Sequence, residues 1–529
     1  MTRPRFLIAI VLLILIAAVR VAATHHVFST IIDEPAHLAG GMEWLAGKYR
    51  IDPSHPPLAR VLGALPLWLR GDPMPEGRTM IGIGLEIVYH GEDYIRTMRL
   101  IRLPNLILLA IAIASTAAWA RRAFSDVVAI IAAALFITLP PVLAHAGFLT
   151  TDLAALAAIP LFLYSLDLYL ERPDIRRGMA LGAGIGFGLL AKFSFLPFGL
   201  VSAIIVVLAR SPRHFQWKSF MAAIGIAFLM VWSGYRFDFR KAIDYNGEQA
   251  VTIIRDGAPR PLQRLAEWVA RKVPIPAPAF AAGLAMVAAH DRVGHPAYLL
   301  GEVKSTGWWY YFPVIFFYKT PLPFLLLAVW GCVFLMWDRE RLRIAFVAVP
   351  LAILAVSMTS AINIGIRHIL PMYAPLSIVA AYAVVRIWTH ATDAFARTTL
   401  VALLAWLLIN TTLAHPDYLA WFNEAAGSAP HRIAVDSNLD WGQDVLRLAR
   451  MQQELQLEPL SIDISSSTRF QRHNLFPPPN LDANAPIHGW LAVSETVYAL
   501  KRSQGAYGWL DQYRPVRRIG KSIRLYSLP

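Results

Sequence analysis

Residues 100–120 read LIRLPNLILLAIAIASTAAWA, and Arg121-Arg122 follow at once. An apolar run of about 20 residues is what an α-helix needs to cross a hydrocarbon core. Arginines at its end are what the positive-inside bias leaves in the cytoplasm. The pattern recurs at 6–23, 127–143, 153–170, 178–191, 195–209, 220–235, 311–337, 344–362, 369–385 and 400–413, which gives about eleven candidate spans. The pair flanking Lys192 also reads as one long broken helix. Residues 58–69 are too short to span and read as an interfacial segment.

Composition agrees. Of 529 residues, 56% are hydrophobic and 16% charged, with mean hydropathy +0.48, whereas soluble chains carry about 25% charged residues. A single soluble globular domain, a disordered tail and a fibrous repeat are excluded. The net charge is +14. Cations flank the spans at Arg3 and Arg5, Arg121 and Arg122, Arg172, Arg176 and Arg177, Arg210, Arg213 and Lys218, Arg339, Arg341 and Arg343, and Arg386 and Arg397. If eleven spans alternate, all these loops share one side. The charge is therefore read as topology facing membrane lipids, with no nucleic-acid partner. The one cysteine, Cys332, permits neither an intramolecular disulfide nor a cysteine metal site. The first apolar run, with Val21-Ala22-Ala23 at its end, has the look of a signal peptide but is read as an uncleaved span, which keeps the alternation.

The opposite, outer face then carries 24–99, 145–152, 236–310, 363–368 and everything after 415. In that tail, 431–437 alternates like a strand, 441–455 has helical periodicity, and 461–466, 490–494 and 522–527 read as strands. The expected fold is a polytopic α-helical membrane protein: a membrane unit over 1–414 and a small extracytoplasmic α/β domain over 415–529.

Chemistry-bearing residues gather on the outer side. The first loop holds Asp33-Glu34-Pro35-Ala36-His37 and, later, Asp52-Pro53-Ser54-His55-Pro56-Pro57-Leu58. Adjacent carboxylates can activate a hydroxyl or hold a metal; Asp33 before Pro35 also fits a helix N-cap. Thr150-Thr151-Asp152 precedes the fourth span, again as a second acidic site or a cap. Carboxylates at membrane depth are costly and mark function. Lys192, Lys319, Arg367 and His368 add outer-side cationic groups suited to an anion such as a lipid phosphate, Arg367 having the bidentate shape; a lysine near a helix end can also merely snorkel. His37 and His55 are candidate phosphate or acceptor contacts, or structural histidines. Gly182, Gly184, Gly186 and Gly188 read as helix packing. Trp308-Trp309-Tyr310-Tyr311 reads as an interfacial belt or a sugar-stacking surface.

Asp33-Glu34, His37 and His55-Pro56-Pro57-Leu58 together resemble the protein O-mannosyltransferase family. The spacing and many-span layout also resemble the bacterial aminoarabinose transferases that modify lipid A. Both belong to the GT-C superfamily, which draws sugars from polyprenyl-phosphate donors. Asp436-Ser437-Asn438-Leu439-Asp440-Trp441-Gly442-Gln443-Asp444 is similar to bacterial members. The resemblance implies a GT-C fold and inverting transfer at the outer face of a membrane, the bacterial inner membrane, to a lipid, glycan or protein acceptor. It implies Asp33 as general base, with Glu34 and Asp152 completing the catalytic carboxylates. Asp152 matches the second acidic position of the lipid A transferases, so a divalent metal ion held by Asp33 and Asp152 is one expectation; the mannosyltransferase members need not use one. His37, His55, Lys319, Arg367 and His368 are the donor-phosphate candidates, although aminoarabinose transferases carry a lysine near the position of His55. The loop 236–310 is too short for the β-trefoil repeats of the eukaryotic mannosyltransferases. Two other readings stay open: a transporter or flippase of a lipid-linked sugar, and a non-catalytic membrane scaffold whose outer domain binds a partner.

Overall fold

The computed structural model describes residues 2–48, 52–77, 79–212, 214–478 and 481–529; Arg213 of the basic loops lies outside them. Each of the eleven apolar segments is mainly helical, but they differ in length. Six helices among the described residues are long and apolar enough to cross a membrane, and two bent pairs raise this to eight. The segments expected at 178–191, 195–209 and 344–362 form Ile175–Ala191, Phe195–Arg210 and Arg341–Ser357, of 17, 16 and 17 residues. At 1.5 Å per residue they reach roughly 25 Å, short of a core of about 30 Å. The count of eleven is therefore not met on length.

Prolines explain the two bends. Asp126–Phe136 meets Pro140–Ala146 at 69°, and Tyr311–Lys319 meets Leu322–Asp338 at 114°. Pro140-Pro141 and Pro321 with Pro323 cannot donate the backbone bonds a continuous helix needs. Around Lys192 the chain makes two helices, with Lys192 extended between them.

The glycine row packs helices as expected. A Cβ on Gly178 would lie 2.2 Å from the Ser219 carbonyl oxygen, and one on Gly182 would lie 2.3 Å from that of Ala223. Both belong to the helix Trp217–Gly234. Gly182→Ala must push the two helices apart. Overpacking of this kind costs about 1–3 kcal/mol and is expected to lower the thermal midpoint of the detergent-purified protein.

The bundle has two chemically distinct ends. At one, Arg122 and Arg210 both grip the fully buried Asp167 at 2.5 Å, Arg122 also reaches Glu171 at 2.7 Å, and Arg177 meets Glu171 at 3.0 Å. The basic loops after 120, 170 and 209 thus share one end. Asp152 opens the same helix, Asp152–Glu171, that carries Asp167 near its close. Fifteen residues of rise separate them by roughly 22 Å.

The segment between the first two apolar runs is helical: Glu34–Leu45, Pro57–Arg70, Met80–Val88 and Tyr94–Arg102. The loop 236–310 carries the helices Ala242–Gly257, Gln263–Lys272 and Pro278–Val293 and a hairpin of Ala297–Leu299 with Glu302–Lys304. In the tail, the stretch 431–437 forms no strand. It holds parts of two short 3₁₀ turns, Pro430–Arg432 and Asp436–Asn438. Its alternating apolar residues are buried by tertiary contact: the Leu300 amide donates to the Ile433 carbonyl (2.9 Å), and the Asp436 amide to the Thr496 hydroxyl (2.9 Å). The helix expected from 441 starts at Val445. Before it, the Trp441 amide donates to Gln443 Oε1 (2.7 Å) and Gly442 takes φ +85°, which closes a turn. Beyond it, Leu460–Asp463, Gly489–Ser494, Ile523–Leu528 and Arg517–Ile519 form a four-stranded sheet in that order. The first pair is parallel and the others are antiparallel.

Candidate active site at one end of the bundle

Asp33 occupies the N-cap position of Glu34–Leu45, yet its carboxylate bonds no helix amide. Arg367 Nη1 donates to it instead, at 2.7 Å. The same nitrogen lies 3.8 Å from Asp152 Oδ2, and Lys192 Nζ lies 2.5 Å from Asp152 Oδ1. Thr151, the cap residue of Asp152–Glu171, makes no side-chain cap bond either. The capping alternative accounts for neither carboxylate. Two acidic residues remote in sequence meet around one guanidinium, and Lys192 supplies a second cation.

Arg367 stands on the 3₁₀ helix Ile366–Met372, its guanidinium 4.4 Å from the Trp441 ring centroid, within cation–π range. The tail segment carrying Trp441 is fastened to this wall. The Ile366 amide donates to Asn438 Oδ1 (3.0 Å), Asn438 Nδ2 to the Tyr311 hydroxyl (3.1 Å), and the Ser437 hydroxyl to the Ile364 carbonyl. It is fastened to the first loop as well: the Ser29 amide donates to the Gln443 carbonyl (2.9 Å) and the Ile32 amide to that of Trp441 (3.2 Å). Gly365 makes the approach possible. Its φ is +140°, and a Cβ there would sit 2.3 Å from Ser437 Oγ. Gly365→Ala is expected to lift the tail from Arg367, seen as faster protease cleavage within 430–445 and reduced transfer.

His37 and His55 stand edge to face, ring centroids 4.9 Å apart. Burial first, then the neighbouring Arg60 charge, lowers the His37 pKa to about 3. Burial, then His37 and Arg60, holds His55 well below its ordinary value. Both are neutral at pH 7, so the pair offers hydrogen bonds but no charge. Linkage follows: below about 6.5 the unfolded chain takes up protons that folded His37 refuses. Stability is expected to fall as pH drops from 6.5 toward 3, read as a decreasing thermal midpoint. His368 lies within electrostatic range of Lys192, Arg367, Asp152 and His55.

Two expected site residues are engaged elsewhere. Glu34 is fully buried in a two-pronged pair with Arg102 (2.8 and 2.7 Å). It also accepts from the Leu149 (3.0 Å) and Ile31 (3.1 Å) amides. Arg102 spends its other donors on the carbonyls of His25, Phe28 and Ser29. Lys319 is 1% exposed and donates to the carbonyls of Leu419 and Asn438 at 2.7 Å, and to that of Trp421. It ties the tail to the membrane helices.

Among the described residues no three His, Cys, Asp or Glu side chains converge on one point. Arg367 stands where a divalent ion shared by Asp33 and Asp152 would have to sit, so the donor set does not fit the metal that the resemblance implied.

Sequence reasoning placed none of three further neighbours in this site. Asp436, at φ +57°, lies within electrostatic range of Arg367 and Asp33, and burial pushes its carboxyl up. Trp441 covers Arg367. His145 is fully buried, and neither ring nitrogen has a hydrogen-bond partner among the described residues; it stands 6.0 Å from the Trp441 ring. Asp436 and Trp441 lie in the tail motif quoted above, so a signal existed. His145 offered none.

Residues 93–234 match the model of the dolichyl-phosphate-mannose-protein mannosyltransferase family. The fold is similar to that of ArnT from Cupriavidus metallidurans, solved bound to undecaprenyl phosphate: TM-score 0.51, 13% identity, 97% of each chain covered. It is also similar to the Archaeoglobus fulgidus oligosaccharyltransferase in the apo form: TM-score 0.50, 13% identity, 85% of this chain and 58% of that one. No curated protein matches by sequence. The resemblance to the GT-C superfamily first read from Asp33-Glu34 and His55-Pro56-Pro57 is thus found again in the family model and in the fold.

Proposed function

We propose that this chain is an integral-membrane glycosyltransferase that moves a sugar from a polyprenyl-phosphate donor to an acceptor at the outer face, with inversion. The observation that carries the reading is the meeting of Asp33 and Asp152 at Arg367. It lies at the end of the bundle opposite the basic loops, so the site faces outward if those loops are cytoplasmic.

The chemistry follows. The acceptor oxygen attacks the anomeric carbon while Asp33, a carboxylate, takes its proton. The bond to the lipid phosphate breaks and its electron pair leaves with the phosphate. Charge growing there needs preorganised donors; Arg367 and Lys192 supply charge, and His37, His55 and His368 supply hydrogen bonds. Asp152 holds both cations in place. Glu34 builds the scaffold behind Asp33, and Lys319 anchors the tail. Residues 1–414 form the catalytic membrane unit, and 415–529 the outer α/β domain, whose first thirty residues complete the site wall.

The test is incubation of purified protein with a labelled polyprenyl-phosphate sugar and a membrane acceptor fraction. Label should pass to the acceptor in a manner dependent on Asp33. Label that crosses the bilayer still attached to its lipid would instead make the chain a flippase, and neither outcome would leave a scaffold.

A further inference from the structure

We infer that the outer domain carries a separate binding cleft for an anionic saccharide, the acidic part of the acceptor; this rests on the transferase reading above. A cavity of about 560 Å³ opens between the hairpin Ala297–Lys304, the helix Glu495–Ser503 and the strand Ile523–Leu528. That is within the ordinary range for small-ligand sites, roughly 300–1,000 Å³. Its lining includes Arg432, Arg502, Arg518 and Arg524, together with Tyr298 and Tyr498.

The charge is not balanced internally. Glu495 is buried and takes Arg518 (2.9 Å) and Arg524 (2.8 Å), and Asp511 takes Arg502 (2.5 Å). Two carboxylates thus face four guanidinium groups. Arg432 is exposed, and its side chain enters no ion pair among the described residues. Guanidinium forks match carboxylate and phosphate oxygens, and tyrosine faces suit the apolar face of a sugar ring. The Arg524 guanidinium already sits over Tyr498, 3.9 Å from its centroid, which leaves Tyr298 as the open aromatic wall.

The cleft is tied to the catalytic end by short covalent reach. Arg432 is four residues before Asp436, the residue in electrostatic range of Arg367 and Asp33. Four residues span at most about 14 Å, and the 3₁₀ turn at Asp436–Asn438 begins where that stretch ends. An acidic sugar held on Arg432 would therefore sit beside the segment that returns Asp436 to the catalytic end, an arrangement that suits an acceptor anchored at one unit and glycosylated at another.

The experiment uses the full chain in nanodiscs of zwitterionic lipid, titrated calorimetrically with glucose 6-phosphate and, in parallel, glucose. Glucose 6-phosphate should bind, more weakly as salt rises, and glucose should not. Arg432→Glu, at an exposed position without an ion pair, should weaken binding at least about tenfold. Asp33→Asn should bind the sugar phosphate as the wild type does, so loss of transfer and loss of the cleft are read separately. Absence of binding, equal binding of glucose, or binding indifferent to Arg432→Glu overturns the inference. So does displacement of the sugar phosphate in nanodiscs of phosphatidylglycerol, which would give the cleft to a lipid headgroup.

Discussion

Asp33→Asn is expected to lower sugar transfer by about 10²- to 10⁴-fold, the usual worth of a positioned general base, while the protein inserts and purifies as before. The amide keeps the shape of the carboxylate but loses its negative charge and its capacity to accept a proton. Arg367 is not left as an isolated charge, because Asp152 remains at 3.8 Å and Asp436 within electrostatic range. The fold should therefore survive, and the loss should fall on kcat with the donor KM little changed. Single-turnover transfer and the thermal midpoint, measured on the same preparation, check both halves. Full activity would remove Asp33 as the base.

The neighbouring carboxylate should behave in the opposite way. Glu34→Ala leaves Arg102 fully buried without its partner, and breaking a buried pair costs about 3–5 kcal/mol. The expected result is poor yield and a sharply lowered thermal midpoint. Arg102→Ala should do the same, and the double variant should cost less than the sum, since each single change exposes the other's uncompensated charge. A Glu34→Ala protein of normal stability that had lost only transfer would return Glu34 to the catalytic set. Two adjacent acidic residues, alike in sequence, are thus assigned different work by what each side chain meets.

Much of the molecule was legible from the chain. Apolar runs marked the helices because burying backbone in hydrocarbon requires internal hydrogen bonding. The arginines at their ends marked a shared side, and the grip of Arg122 and Arg210 on Asp167 places them together. The bends at Pro140 and Pro321 were missed because hydropathy windows do not weigh a missing backbone donor. The strand expected at 431–437 was misread because alternation records burial, and there the burial comes from a hairpin and a helix rather than from a sheet face.

By itself, the sequence determined a polytopic helical protein, its basic end, and the acidic and cationic residue types gathered toward the other. These are properties of composition and periodicity, which act locally along the chain. Only the tertiary structure decided that Arg367, 334 residues from Asp33, stands between two carboxylates, that Glu34 meets Arg102 and Lys319 meets backbone carbonyls of the tail, and that the tail returns Asp436 and Trp441 to the same place. Whether a carboxylate meets an arginine or a backbone amide depends on which helices pack side by side, and no short-range pattern encodes that pairing.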